Sequence, residues 1–204
     1  MNFILLHGSF NSYKQLKEFW LPKLENLCQP LGHKVILPHL PTYSFEEVTN
    51  LGIEGVLHKQ SLEIWLKAIE PHTDLFIDNK TIFICHSTGP LFALHLLSKY
   101  PLILDSAIFV CPFLNRLIKS TWQVNKVNET YYKSDFDFEK LKTQIPLSYV
   151  FYGTDDPYVD TEQSLLFASK LNSEVAPVVG GGHLNKKENA DLILELCKTR
   201  IKHT

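Results

Sequence analysis

A serine at residue 87 lies in the run Ile-Cys-His-Ser-Thr-Gly, between an apolar segment and an amphipathic one. A serine at a tight turn from a strand into a helix holds its hydroxyl at the edge of a sheet, near the positive helix N-terminus. We predict that Ser87 is a nucleophile, although a serine there also serves as an ordinary helix N-cap. Cys85 stands where the motif G-x-S-x-G has its first glycine, so the sequence departs from that motif.

A serine hydroxyl needs a base to take its proton, and the base needs an acid to orient it. His183 follows three consecutive glycines at a predicted strand end and is the expected base. Asp156 is the expected acid, because Pro157 fixes the chain directly after it, and Asp155 is the alternative. Taken alone, a loop histidine is often only a surface residue and an Asp-Pro pair only a turn. Together with Ser87 they predict a serine, histidine and aspartate set.

The oxyanion formed by such a nucleophile needs two backbone N–H donors. The N–H of Thr88, directly after Ser87, is one expected donor. The N–H of Ser9, after the first predicted strand, is the expected second donor, with Phe10 as the alternative. Gly8, which precedes Ser9, is also compatible with an ordinary turn.

The elements that position these residues are short apolar runs that alternate with amphipathic runs. The predicted strands cover residues 2–7, 34–37, 81–85, 107–111, 147–152 and 174–179. The predicted helices cover residues 13–28, 60–69, 90–99, 138–142, 162–171 and 188–201.

This alternation predicts a mainly parallel, six-stranded sheet in a three-layer α/β/α sandwich. The strand runs are apolar throughout, as expected when helices cover both faces of a sheet. In such sheets the ligand site lies beyond the carboxyl ends of the strands, where the residues named above would meet. We expect a single domain over residues 1–204, with a long irregular or helical insertion at 112–145 over the strand ends.

The composition excludes several classes of protein. The 204 residues are 45% hydrophobic and carry a net charge of −2 without a basic excess, so no nucleic-acid-binding surface is expected. No stretch approaches the roughly 20 apolar residues of a membrane helix, so no membrane span is expected. The start of the chain has no signal-peptide pattern, which predicts a cytoplasmic protein. Four cysteines without paired spacing are expected to be reduced core thiols. No metal-ligand spacing is present, and the chemistry above needs no cofactor.

Three aromatic residues are predicted to bind substrate: Phe10, Phe113 and Trp122. They flank the predicted strand ends and would form an apolar wall for an acyl or aromatic group. The alternative is that the aromatic residues of the insertion only pack it onto the core.

At these residues the chain resembles small α/β-hydrolase-fold serine hydrolases, the family typified by retinoblastoma-binding protein 9 and YdeN-like proteins. The likeness runs from residues 4–8 and 20–24, through 86–89, to 155–157 and 182–183. The resemblance implies a compact fold that lacks a large lid and the first two strands of larger α/β-hydrolases. It also implies catalytic residues at Ser87, Asp156 and His183. The protein after which this family is named has a partner-binding motif of the type Leu-x-Cys-x-Glu. This motif is not present here, so the resemblance implies no protein partner for this chain.

The expected function is therefore a serine hydrolase that acts on a small carboxylic ester through an acyl-enzyme intermediate. Thioester and amide hydrolysis stay open, because the same three residues serve all these acyl groups. The alternative is a binding or scaffold protein that keeps the fold with weak or no catalysis. The oligomeric state is not readable from the sequence.

Overall fold

The computed structural model describes residues 1–56, 59–76, 80–133 and 135–202. Within them, six strands form one parallel sheet in the order β2-β1-β3-β4-β5-β6. The strands are β1 (Asn2–Leu6), β2 (Lys34–Ile36), β3 (Thr81–His86), β4 (Ser106–Val110), β5 (Ser148–Gly153) and β6 (Glu174–Val178). The predicted α/β fold with a six-stranded parallel sheet is confirmed.

Nine α-helices are found among the described residues. They are α1 (Ser12–Gln15), α2 (Leu21–Cys28), α3 (Phe45–Gly55), α4 (Leu62–Ile69), α5 (Thr88–Lys99), α6 (Trp122–Val127), α7 (Phe138–Gln144), α8 (Thr161–Leu171) and α9 (Asn189–Lys202). A π-helical segment covers Leu16–Trp20, and 3₁₀ segments cover Gln29–Leu31, Glu70–Phe76 and Glu129–Tyr131.

The single helix predicted over residues 13–28 is wrong in its continuity. The structure has α1, the π-helical segment and α2 in succession. Pro22 lies in the first turn of α2, where its missing N–H cannot continue the hydrogen bonds of the preceding turns. Because the break needs only a change of hydrogen-bond register, the apolar side of the whole segment still faces the sheet.

Two helices were not expected from the sequence, α3 and α6. The first begins at a capping box, in which the Ser44 hydroxyl accepts from the Glu47 N–H and the Glu47 carboxylate accepts from the Ser44 N–H. The spacing S-x-x-E at residues 44–47 is a sequence signal for such a start. By contrast, α6 has only six residues and no side-chain cap.

Alternating residues of the buried strands separate the core into two halves, one on each face of the sheet. Phe83 and Cys85 of β3 face the side covered by α4, α5, α7 and α8. Ile82 and Ile84 face the side covered by α2 and α9. This arrangement is the predicted three-layer sandwich, with helices on both faces of the sheet and the strands β1, β3 and β4 buried between them.

Among the described residues, no helix combines the length and the apolarity needed to cross a lipid bilayer.

Candidate active site

Ser87 lies in a strained turn between β3 and α5. Its backbone has φ 61° and ψ −107°, a combination that non-glycine residues rarely adopt. The preceding side chain of Cys85 is buried in the core, so the thiol that replaces the motif's first glycine does not enter the turn. A strained strand-to-helix turn of this kind presents a serine hydroxyl at the end of the sheet.

Two glycines allow the backbone to close around this turn. A Cβ at Gly8 would lie 2.6 Å from Ser87 Cβ and 3.0 Å from Ser87 Oγ. A Cβ at Gly89 would collide with the carbonyl oxygen of Leu6. Both residues therefore have to be glycine because neighbouring strands and turns approach them closely.

His183 and Asp156 form a hydrogen-bonded pair. His183 Nδ1 donates to Asp156 Oδ2 at 2.7 Å, and the two side chains are only 11% and 2% exposed. Asp156 Oδ1 also accepts from the N–H groups of Tyr158 and Val159, at 2.8 and 3.1 Å. Burial alone would raise the pKa of Asp156, but these hydrogen bonds hold that pKa below its ordinary value. The aspartate therefore carries a negative charge beside the imidazole.

Asp155, the alternative acid, faces a different group. Its Oδ1 accepts from the N–H of Gly182 at 2.9 Å, so it holds the loop that carries His183. Of the two neighbouring aspartates, the structure places Asp156 against the imidazole and Asp155 against the loop backbone.

Ser87 and His183 line the same cleft. Among the described residues, Ser87 Oγ has no hydrogen-bond partner, and no hydrogen bond joins it to His183. Such contacts between a nucleophile and its base often tighten only when substrate is bound.

His86 connects the loop of His183 to the loop after β1. Its Nε2 donates to the carbonyl of His183 at 2.9 Å, which leaves Nδ1 to accept from Ser12 Oγ at 2.9 Å. Ser12 Oγ in turn accepts from the N–H of Gly8 at 2.8 Å. Burial, and then the neighbouring His183, lowers the pKa of His86 to about 3, so the ring is neutral. A buried neutral histidine thus braces two of the loops around Ser87.

Ser9 and Thr88, whose N–H groups are the expected oxyanion donors, are neighbours in space beside the Ser87 turn. The hydroxyls of Ser9 and Thr88 are 3.0 Å apart. In the described part of the chain, neither of their backbone N–H groups donates to a protein acceptor. Phe10, the alternative donor, has a positive φ of 56° and lines the cleft.

The cleft has a volume of about 370 Å³ and is walled largely by apolar side chains. Phe10 and Phe113 line it, as do Phe45 and Val124, which the sequence did not single out. Trp122 does not line it and borders a neighbouring cavity of about 180 Å³. Because Val124 faces the cleft, the residue two positions earlier on the same helix points elsewhere.

Three side chains of metal-ligating type lie close together in the described residues: Cys111, Asp156 and His183, with ligand atoms within 4.8 Å of one another. Metals bind the thiolate form of cysteine. Burial, and then the nearby Asp156 carboxylate, raises the pKa of the Cys111 thiol well above its ordinary value. The Cys111 thiol is therefore protonated beside the Asp156 carboxylate at neutral pH. All four cysteines are buried and free.

Comparisons with solved structures agree with this fold. The ydeN gene product of B. subtilis aligns with a TM-score of 0.74 and 18% identity, over 98% of this chain and 97% of that one. The meta-cleavage product hydrolase CumD of Pseudomonas fluorescens IP01 aligns with a TM-score of 0.68 and 16% identity, over 100% and 91%. At these identities the likeness shows a shared α/β-hydrolase fold.

Comparisons of sequence identify the family. A curated relative, serine hydrolase RBBP9 of Rattus norvegicus, is 29% identical over 133 residues, which cover 64% of this chain and 66% of the rat protein. The match thus spans slightly less than two thirds of that relative's length. The family model for serine hydrolases matches residues 44–192, the greater part of the chain. The chain therefore belongs to the serine hydrolase family.

Proposed function

We propose that this serine hydrolase cleaves small carboxylic esters through a catalytic triad of Ser87, His183 and Asp156. The observation that carries the proposal is the 2.7 Å bond from His183 Nδ1 to Asp156, in the same cleft as a serine held in a strained turn. This bond fixes the imidazole tautomer in which Nε2 is free to accept a proton.

In the proposed mechanism, Ser87 Oγ attacks the acyl carbon while His183 Nε2 takes the hydroxyl proton. The N–H groups of Ser9 and Thr88 stabilise the tetrahedral oxyanion, and Asp156 stabilises the imidazolium. The intermediate collapses, and the alcohol leaves with the proton from His183. Water then attacks the acyl-enzyme with the same base, which releases the acid and restores Ser87.

The apolar wall of the cleft supports an acyl group of several carbons as the part that is bound. Phe10, Phe113 and Leu117 provide that wall next to Ser87. Burying one methylene contributes about 0.8 kcal/mol, or about fourfold in binding. We therefore expect KM to fall by up to about fourfold per added methylene until the cleft is full.

The test is hydrolysis of nitrophenyl esters with acyl chains from two to twelve carbons. The wild type is expected to turn over, and Ser87→Ala to lose at least about a thousandfold in kcat/KM. Ser98→Ala is the matched control, because Ser98 is exposed on the same helix and bonds only the carbonyl of Leu94. Absence of turnover at every chain length would instead favour a binding or scaffold role for this fold.

A further inference from the structure

Asn128, in the insertion between β4 and α7, makes contacts that the proposed mechanism does not use. It is 1% exposed and directly follows α6. Its Oδ1 accepts from Ser9 Oγ at 2.7 Å and from Thr88 Oγ1 at 2.9 Å. One carboxamide oxygen from the insertion therefore binds the side chains of both residues whose N–H groups are the proposed oxyanion donors.

Asn128 Oδ1 is the acceptor for the hydroxyl protons of both Ser9 and Thr88. Ser9 Oγ accepts from Gln60 Nε2 at 2.7 Å, so its own proton is available to Asn128 Oδ1. Thr88 Oγ1 donates to the same oxygen. Without it, the 3.0 Å contact between the two hydroxyls can satisfy one of the two protons and leaves the other without an acceptor. Buried donors of this kind are costly to leave unpaired, so their side chains would move.

We propose that Asn128 is a positioning residue that sets the relative placement of the two oxyanion donors, an inference that rests on the proposed function. Ser9 belongs to the loop after β1 and Thr88 to the first turn of α5, so the two residues lie on different elements. Their hydroxyls touch at 3.0 Å, and Asn128 Oδ1 accepts from both. An oxyanion hole works only when both donors lie about 2.7–3.1 Å from the developing charge. Asn128 Oδ1 is an acceptor that the two hydroxyls share, and it gives both of their protons a partner.

The two ends of the Asn128 carboxamide have different surroundings. Among the described residues Nδ2 has no hydrogen-bond partner, and Asn128 lines the cleft beside Ser9 and Ser87. The amide is therefore held in place by its oxygen, through Ser9 and Thr88. A residue that only anchored the insertion would be expected to use both ends of its carboxamide on the insertion's own backbone.

Asn125, three residues earlier, has that structural pattern and provides the matched control. It is buried, its Nδ2 donates to the carbonyl of Leu117, and its Oδ1 accepts from the Leu117 N–H and the Tyr132 hydroxyl. In the part of the chain that the structure describes, no hydrogen bond joins Asn125 to Ser9 or Thr88. The same substitution at the two asparagines therefore separates positioning of the oxyanion donors from anchoring of the insertion.

The experiment compares Asn128→Ala with Asn125→Ala by ester kinetics, by affinity for a trifluoromethyl ketone of matched chain length, and by thermal unfolding. Asn128→Ala is expected to lower kcat by about 10- to 100-fold with KM within about twofold, because the oxyanion exists only in the transition state. Affinity for the ketone, which forms a tetrahedral adduct, should fall by the same factor. Asn125→Ala is expected to lower the melting temperature without this split between kcat and KM.

Thr88→Val removes the hydroxyl that donates to Asn128 Oδ1 and leaves Asn128 itself unchanged. Valine has nearly the shape of threonine, and the backbone N–H of residue 88 is kept. Thr88→Val and Asn128→Ala are expected to be non-additive, so that the double variant loses little more kcat than the worse single one. Ser9→Ala replaces Asn128→Ala in this cycle if that variant does not fold. Additive losses, or an unchanged kcat in Asn128→Ala, would overturn the inference.

The wild type in the same assay separates this inference from the proposed function. A wild type that neither hydrolyses esters nor reacts at Ser87 with a fluorophosphonate contradicts the proposed function, and the positioning role with it. A reactive wild type whose Asn128→Ala variant keeps its kcat contradicts the positioning role alone.

Discussion

The cleft has two walls of different construction. The strand-end wall carries Ser87 and His183, with Asp156 bonded to His183, and each of the three lies in the turn or loop that follows a strand of one parallel sheet. The insertion wall carries Phe113 and Asn128, on chain segments with short helices between β4 and β5. In the first wall the backbone of buried strands fixes where side chains lie. In the second wall only side-chain packing and hydrogen bonds do so. The comparison suggests that chemistry resides on the strand-end wall, and alignment and substrate preference on the insertion wall.

The largest effect expected on the strand-end wall distinguishes the two neighbouring aspartates. Asp156→Asn should lower kcat by about ten-thousandfold, because an amide cannot hold His183 in the required tautomer. Asp155→Asn keeps an acceptor for the N–H of Gly182 and should lower kcat by less than about tenfold. Steady-state ester kinetics on the two variants measure both values. Equal losses in the two variants, or a larger loss in Asp155→Asn, would show that Asp156 is not the acid that orients His183.

A smaller effect is expected where the strand-end wall is tightly packed. Gly8→Ala would place a Cβ 2.6 Å from Ser87 Cβ, so the Ser87 turn must shift. A displacement of about 1 Å at a reacting group costs on the order of a hundredfold in rate, and we expect that loss in kcat.

Gly32→Ala is the control for this change. Gly32 has a positive φ of 74°, and no atom lies within 4 Å of the place that an alanine Cβ would take. It precedes β2, at the opposite end of the sheet from Ser87. It should lose stability through backbone strain and keep kcat. A Gly8→Ala enzyme with wild-type kcat would mean that the turn around Ser87 is not rigid.

The smallest effect on kcat is expected from a change that acts on stability, beneath the strand-end wall, where His7 and His86 are buried and neutral. Burial lowers the pKa of His7 to about 4 and that of His86 to about 3. The unfolded chain, with histidine pKa values near 6.5, therefore binds more protons than the folded one. Stability is fully present above pH 6.5 and is lost as the pH falls towards 4 and 3, by up to about 1.4 kcal/mol per pH unit for each histidine.

Urea unfolding between pH 8 and pH 4 measures this dependence. His86→Gln removes one of the histidines whose pKa is lowered by burial and should flatten the fall in unfolding free energy below pH 6.5. A wild-type unfolding free energy that stays constant from pH 8 to pH 5 would contradict the burial of neutral histidines under this wall.

The two walls also differ in how far the sequence predicts them. Parallel strands end at one edge of a sheet, so the order Ser87, Asp156, His183 was enough to predict that the three residues lie near one another. No comparable rule predicts the position of Asn128, because an asparagine after a short helix is usually a local cap or turn residue. Trp122 was misplaced for a related reason, since the start of α6 and hence its facing side were not predictable from a weak helical pattern.

The central claim is that Ser87 is the nucleophile of this serine hydrolase, and covalent labelling tests it most directly. The wild-type protein is treated with a fluorophosphonate, and the adduct is located by mass spectrometry. The account predicts one adduct on Ser87, which disappears in Ser87→Ala and forms much more slowly in His183→Ala. Undiminished labelling of Ser87→Ala, or an adduct on another serine of the wild type, would contradict it.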